Sequence, residues 1–138
     1  ATRKGLDKEI TAHAIQKIDA DDFQHDSLST VVFDESWHKG VVGIVASRLV
    51  ETFYKPTIVL VSDGEKMAGS ARSISGIDLF ECLSECSEFL TQFGGHTMAA
   101  GLSLEAENFH AFRSKFENIG FRKATGGAGN VQDTIVPN

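Results

Sequence analysis

Apolar residues recur at helical spacing in Leu6, Ile10, Ala14 and Ile18, which predicts an amphipathic helix over residues 3 to 20. The acidic stretch DADDFQHD then breaks the pattern. Asp19, Asp21, Asp22, His25 and Asp26 carry ligand atoms, but their spacing matches no metal-binding loop, and a solvated helix end is the simpler reading. STVVF at 29–33 reads as a short strand. TIVLV at 57–61, bounded by Pro56 and Ser62-Asp63-Gly64, reads as a strand covered on both faces. Between them Val41, Ile44, Val45, Leu49 and Phe53 describe a helix, so the segment is a strand–helix–strand crossover of expected right-handedness. A hairpin turn at Asp63-Gly64 leads into KMAGSARS at 66–73, whose character alternates. Asp78 and Glu81 form an N-cap and capping-box pair opening a helix that carries Leu79, Leu83, Cys86 and Leu90. A glycine pair follows, then a strand over 99–104 and a last helix from Asn108 with Phe109, Phe112, Phe116 and Ile119 on one face. The predicted fold is α/β: a mixed, mostly five-stranded sheet flanked by helices, with an N-terminal connecting helix.

Composition narrows the class. A chain of 138 residues with 41% hydrophobic content and ten Phe supports one domain with a real core. A net charge of −6 argues against a protein that coats itself in nucleic acid, since that affinity comes from many Lys and Arg, but it leaves room for a locally positive pocket. Cys82 and Cys86 fall on one side of the predicted helix and read as reduced core residues, not as a disulfide or metal pair. No run approaches the ~18 apolar residues of a membrane span, and no basic-apolar-small leader opens the chain. A soluble cytoplasmic protein without a membrane partner is expected. Ala1-Thr2-Arg3 runs directly into helical periodicity and KATGGAGNVQDTIVPN trails off uncapped, as expected of a piece of a longer chain.

Three segments could carry chemistry. In a strand over 66–73, Ser70 and Arg72 share one face while Met67, Gly69 and Ala71 take the other, apolar one. A hydroxyl beside a guanidinium suits a phosphate; an exposed arginine paired with a carboxylate is the alternative. In FGGHTMAAG, the glycine pair is either a helix cap or, because a cap needs one glycine, a turn whose N–H groups form an anion-binding concavity next to His96. Ala99, Ala100 and Gly101 keep the adjoining backbone bare for close approach. In WHKGVVGIVASRL, Gly40 and Gly43 lie at a helix start, after His38 and Lys39, where they serve either anion binding or close packing on the sheet. Trp37 is a core or rim anchor.

WHKGVVGIVASRLVETFYKPTIVL, GSARSISGIDL and FGGHTMAAGLSL together resemble the substrate-binding domain that follows the catalytic domain in the DHH phosphoesterase superfamily, most closely its single-strand-specific 5′→3′ exonuclease branch. The resemblance spans about residues 3 to 120 with the motifs in family order. It implies a connecting helix and linker over 1–26, a DHH-associated substrate-binding domain over 27–121, and a Gly-rich tail over 122–138 leading to a further domain. It also implies work in DNA repair and recombination, single-stranded DNA as partner, and a catalytic DHH domain of the same chain that holds Mn2+ or Mg2+. By the same resemblance Ser70 and Arg72 contact the phosphate end of the DNA. It likewise implies that Gly94, Gly95 and an assisting His96 touch the nucleic acid near the metals, and Thr97, Ala100 and His38 are expected as further contacts. The Asp-His-His triplet that names the superfamily does not occur in this sequence, and metal-assisted hydrolysis needs such ligands. The piece is therefore expected to bind but not to cut, with no catalytic residue and no metal of its own.

Other classes stay open. A phosphodiesterase for short oligonucleotides or cyclic dinucleotides would share the glycine-histidine motif. An RNA-binding module like the related domain of alanyl-tRNA synthetase would lack this His-Thr-Met-Ala-Ala-Gly context, and the acidic balance suits it poorly. A plain interaction domain is the least specific alternative.

Overall fold

A computed structural model describes residues 3–124. Helix α1 (Arg3–Asp19) and the short α2 (Asp22–Asp26) precede β1 (Thr30–Phe33), α3 (Val42–Phe53), β2 (Thr57–Asp63) and β3 (Lys66–Arg72). Helix α4 (Leu79–Glu85), β4 (Gln92–Gly95), β5 (Ala99–Glu105) and α5 (Phe109–Ala124) follow. The strands form one five-stranded sheet in the order β1-β2-β3-β5-β4, with β1 parallel to β2 and every other pair antiparallel. This is the expected mixed α/β architecture, N-terminal helix included.

The sheet separates two cores, as strict alternation along its strands requires. On one face Ile58, Leu60, Met67, Ala71, Leu102 and Leu104 pack under α4 and α5, with Phe112 and Phe116 of α5 fully buried. On the other, Val32, Val59 and Val61 meet Val45 and Leu49 of α3 and Ile10, Ala14 and Ile18 of α1. Cys82 and Cys86 are buried thiols not joined in a disulfide, and burial pushes the Cys86 thiol up to about 12, as suits a core residue. Glu117 of α5 accepts from the backbone N–H groups of Leu28 and Ser29 and from the Ser29 hydroxyl, anchoring the entry to β1. The Gln24 side chain bonds both backbone groups of Val31 (2.9 and 3.2 Å), standing in for a neighbouring strand along the outer edge of β1.

Helix α1 is pinned to the sheet by a polar cluster. Lys17 reaches Asp34 (3.1 Å) and the Phe33 carbonyl (2.8 Å), while the buried Trp37 donates its indole N–H to His13 Nδ1 (2.9 Å). Hydrogen bonds from Ser36, hydroxyl first, outweigh partial desolvation and, with Lys17, lower the Asp34 carboxyl from its ordinary 3.8 to about 2. A depressed carboxylate stabilises the fold above its unfolded pKa, and that contribution fades as pH falls toward the folded value. Discounted for solvent access, it is worth about 1 kcal/mol at neutral pH. Asp34→Asn is expected to lose that amount near pH 6, with about half of the difference gone by pH 3. Urea denaturation of both proteins across this range checks it; a pH-independent difference would contradict it.

Several expectations need correction. Phe93, Gly94 and Gly95 are neither a helix cap nor a turn; they belong to the edge strand β4. Helix α4 is capped by the Asp78 carboxylate accepting from Glu81 N–H (3.1 Å), as expected, but it ends at Glu85, and Ser87–Phe89 forms a separate 3-10 turn that leaves Leu90 outside the helix. Ile44 is 42% exposed, off the buried face of α3. Helix α5 runs on to Ala124, into the expected tail; the rest of that tail lies outside the described residues.

Candidate functional site

Helix α3 packs on β2 and β3 but does not extend over β5 and β4, so the sheet face on its side continues into an open groove of about 650 Å³. Register decides what the floor presents. Ser70, Gly101 and Gly94 lie opposite one another across β3, β5 and β4, and Ala68, Ser103 and Gln92 form the next row. The wall carries Val42 and Lys39, and Lys39 pairs with Asp63 at 3.0 Å. A hydroxyl followed by two side-chain-free backbones makes a lane that a polymer backbone can approach closely.

The glycines sort into two kinds. A Cβ at Gly94 would meet nothing within 4 Å, and one at Gly101 would make only an ordinary contact, 3.7 Å from the Gly69 carbonyl oxygen. The fold does not require either. By contrast, a Cβ at Gly69 would sit 1.8 Å from the Val59 carbonyl oxygen, and Gly95, at φ 145°, would drive one within 2.4 Å of the Ala99 oxygen. Of the glycine pair in FGGHTMAAG, the second serves the chain and the first leaves the groove bare.

Arg72 stands at the end of β3, half-buried, and is not part of the groove lining. Its Nη1 donates to the Ala71 carbonyl (2.8 Å), and the guanidinium lies against α3 at Gly43. Among the described residues no carboxylate pairs with it, so the expected alternative of a surface ion pair does not hold there. Helix α3 continues directly from a 3-10 turn over Lys39–Val41 that is capped by the His38 ring, and it has no further side-chain cap at Val41.

The β4–β5 hairpin adjoins the same end of β3, because Ala99 is the partner of Arg72. His96 donates its backbone N–H to the Ala99 carbonyl (2.9 Å), while its exposed ring accepts a long bond from Met98 N–H at Nδ1 (3.4 Å). Among the described residues Nε2 has no hydrogen-bond partner, which leaves that nitrogen open to donate when it carries the proton. His38 is held the same way, Nδ1 accepting from Gly40 N–H at 2.9 Å. Thr97 is exposed, and its carbonyl accepts from Leu79 N–H (2.8 Å), tying the hairpin to α4. Ala100 turns its methyl into the opposite core, so it offers the groove side no side chain.

The structure thus joins Ser70 and Gly94 in the groove and sets Arg72, His96 and Thr97 at one end of the sheet. Gln92 and Ser103 were not singled out from the sequence, and Lys39 only as a neighbour of the α3 start. Pairing β5 with β3 in antiparallel register would have put Gly101 and Ser103 on the Ser70 face. Among the described residues no three His, Cys, Asp or Glu side chains come together to hold a metal ion, so these residues do not fit the metals implied by the resemblance.

The architecture and the three motifs define a class: the chain belongs to the DHHA1 domain family, whose pattern matches residues 25–119. The chain is similar to single-stranded-DNA-specific exonuclease RecJ of Bacillus subtilis (strain 168), 47% identical over 119 residues, covering 85% of this chain and 15% of that protein. It also superimposes on the crystal structure of RecJ in complex with Mn2+ from Thermus thermophilus with a TM-score of 0.74 and 28% identity, covering 87% of this chain and 17% of the other. The C-Ala domain from Aquifex aeolicus alanyl-tRNA synthetase shares the fold alone, with a TM-score of 0.58 at 15% identity over 68% of this chain and 91% of that one. The resemblance to the exonuclease branch is borne out, and the chain spans less than a fifth of the length of either RecJ.

Proposed function

We propose that this domain is the single-stranded-DNA-binding part of a RecJ-like 5′→3′ exonuclease, a phosphodiester hydrolase of DNA repair and recombination acting in the cytoplasm. The observation that carries the reading is the Ser70–Gly101–Gly94 row, bare on two of its three strands, with an arginine free of any described carboxylate beside it. Mn2+ or Mg2+ would be held by a DHH domain elsewhere in the full-length chain and would supply the activated water and charge neutralisation for hydrolysis. This domain's own residues bind and orient. The Ser70 hydroxyl and the Arg72 guanidinium hold the 5′-phosphate, the glycine lane seats the sugar-phosphate backbone, and His96 donates from Nε2 to a phosphate oxygen beside the scissile bond. By itself the domain grips the strand and leaves it intact.

Arg72→Ala tests the assignment in the full-length protein. A charged hydrogen-bonded contact of this kind is worth about 1.5–3 kcal/mol, so binding of a 5′-phosphorylated strand is expected to weaken by at least about tenfold. A 5′-hydroxyl strand should be nearly unaffected. Equal losses on both substrates would remove Arg72 from phosphate recognition.

A further inference from the structure

Glycine is a poor residue inside a helix, because it gives up the most backbone freedom on ordering. Gly43 nevertheless occupies the second position of α3, which packs on the sheet. If the purpose were close approach of helix to strand, a side chain there would collide with sheet backbone. It would not. The three nearest atoms to a Cβ at position 43 all belong to two side chains: Arg72 Nη2 at 2.7 Å, Arg72 Cζ at 3.7 Å and Ser70 Oγ at 3.7 Å. The space that Gly43 leaves empty is filled by the guanidinium, beside the hydroxyl.

We propose that Gly43 is a positioning residue for phosphate recognition: its missing side chain is the seat that holds the Arg72 guanidinium next to the Ser70 hydroxyl and the first turn of α3. The inference rests on the reading of Arg72 and Ser70 as phosphate contacts, and it assigns a role to a helix residue that touches no ligand itself. Its physical content is an asymmetry. The colliding atom is the far end of a flexible arginine and not backbone, so a methyl group at position 43 displaces the guanidinium without disturbing the packing of α3. Alanine also favours the helix. Gly43→Ala should therefore move stability and ligand binding in opposite directions, which a glycine kept for packing would not do.

The test compares Gly43→Ala, Arg72→Ala and the double variant in the full-length protein. Affinity is measured by fluorescence anisotropy for phosphorothioate single-stranded oligonucleotides with a 5′-phosphate or a 5′-hydroxyl, in Mn2+ buffer, with a melting curve on each sample. Gly43→Ala is expected to bind the 5′-phosphate strand about tenfold more weakly. Its affinity for the 5′-hydroxyl strand should stay unchanged and its melting temperature equal or exceed that of the wild type. In the Arg72→Ala background the same substitution should cost nothing more, since the two act through one group. Wild-type affinity in Gly43→Ala, alongside a loss in Arg72→Ala, would overturn the proposal while leaving the phosphate reading intact. A lowered melting temperature with equal losses on both strands would make Gly43 a packing residue. An Arg72→Ala protein that keeps its preference for the 5′-phosphate would bring down the phosphate reading and the role of Gly43 with it.

Discussion

Replacing His96 by alanine in the full-length protein is expected to lower turnover on single-stranded DNA by about 10²–10³-fold, the usual cost of losing a donor aimed at developing charge. The melting temperature should hardly move. His96 is exposed on the hairpin, and its only described side-chain bond is the long one from Met98 N–H. The backbone bond that closes the hairpin, from His96 N–H to the Ala99 carbonyl, survives any substitution other than proline. The structural cost is therefore expected to be small and the catalytic cost large, and the two are separable on one sample. Steady-state kinetics beside a melting curve decides: near-normal turnover would reduce the hairpin to a structural turn.

The second large effect concerns stability. Gly69→Ala is expected to destabilise the domain by about 3 kcal/mol or more, at the upper end of overpacking, because the added carbon meets the Val59 carbonyl oxygen on the adjacent strand. Neither strand can yield without breaking the β2–β3 register, in which Val59 lies opposite Ser70 and Leu60 opposite Gly69. Gly94→Ala is the matched control, since its Cβ enters open space. That variant should fold with unchanged or slightly raised stability and bind single-stranded DNA more weakly, because the methyl group stands in the groove. Urea denaturation and a DNA titration on the two proteins check both halves; comparable stability losses would show that the glycines do not differ in kind.

These glycines also mark the limit of what was legible beforehand. Alternation along β3 put Ser70 and Arg72 on one face because Met67 and Ala71 are apolar, and the structure keeps that division. The long apolar run of β2 and the Asp78 cap were legible for the same local reasons. Strand β4 was not. Its four residues include Gly94 and Gly95, which carry no side chain to alternate, so a strand looks like a turn. Gly69 is required by a carbonyl ten residues back on the facing strand, and Gly43 leaves room for an arginine nearly thirty residues on; both depend on exact register and packing that the alternation pattern does not encode. Ile44 misled because an apolar residue at helical spacing need not be buried.

The two margins of the sheet differ in a way that bears on assembly. Among the described residues each edge strand has one strand neighbour, but on the β1 side Gln24 also occupies the hydrogen-bonding groups of Val31. The β1 margin is thus partly occupied by a side chain, while among the described residues no further strand lies beside β4. An extended segment added beside β4 would widen the groove floor by ~4.8 Å, the spacing between neighbouring strands. A partner strand joined at β4 would thus resize the cleft as well as cover an edge, so assembly at that margin would change ligand capacity by geometry alone.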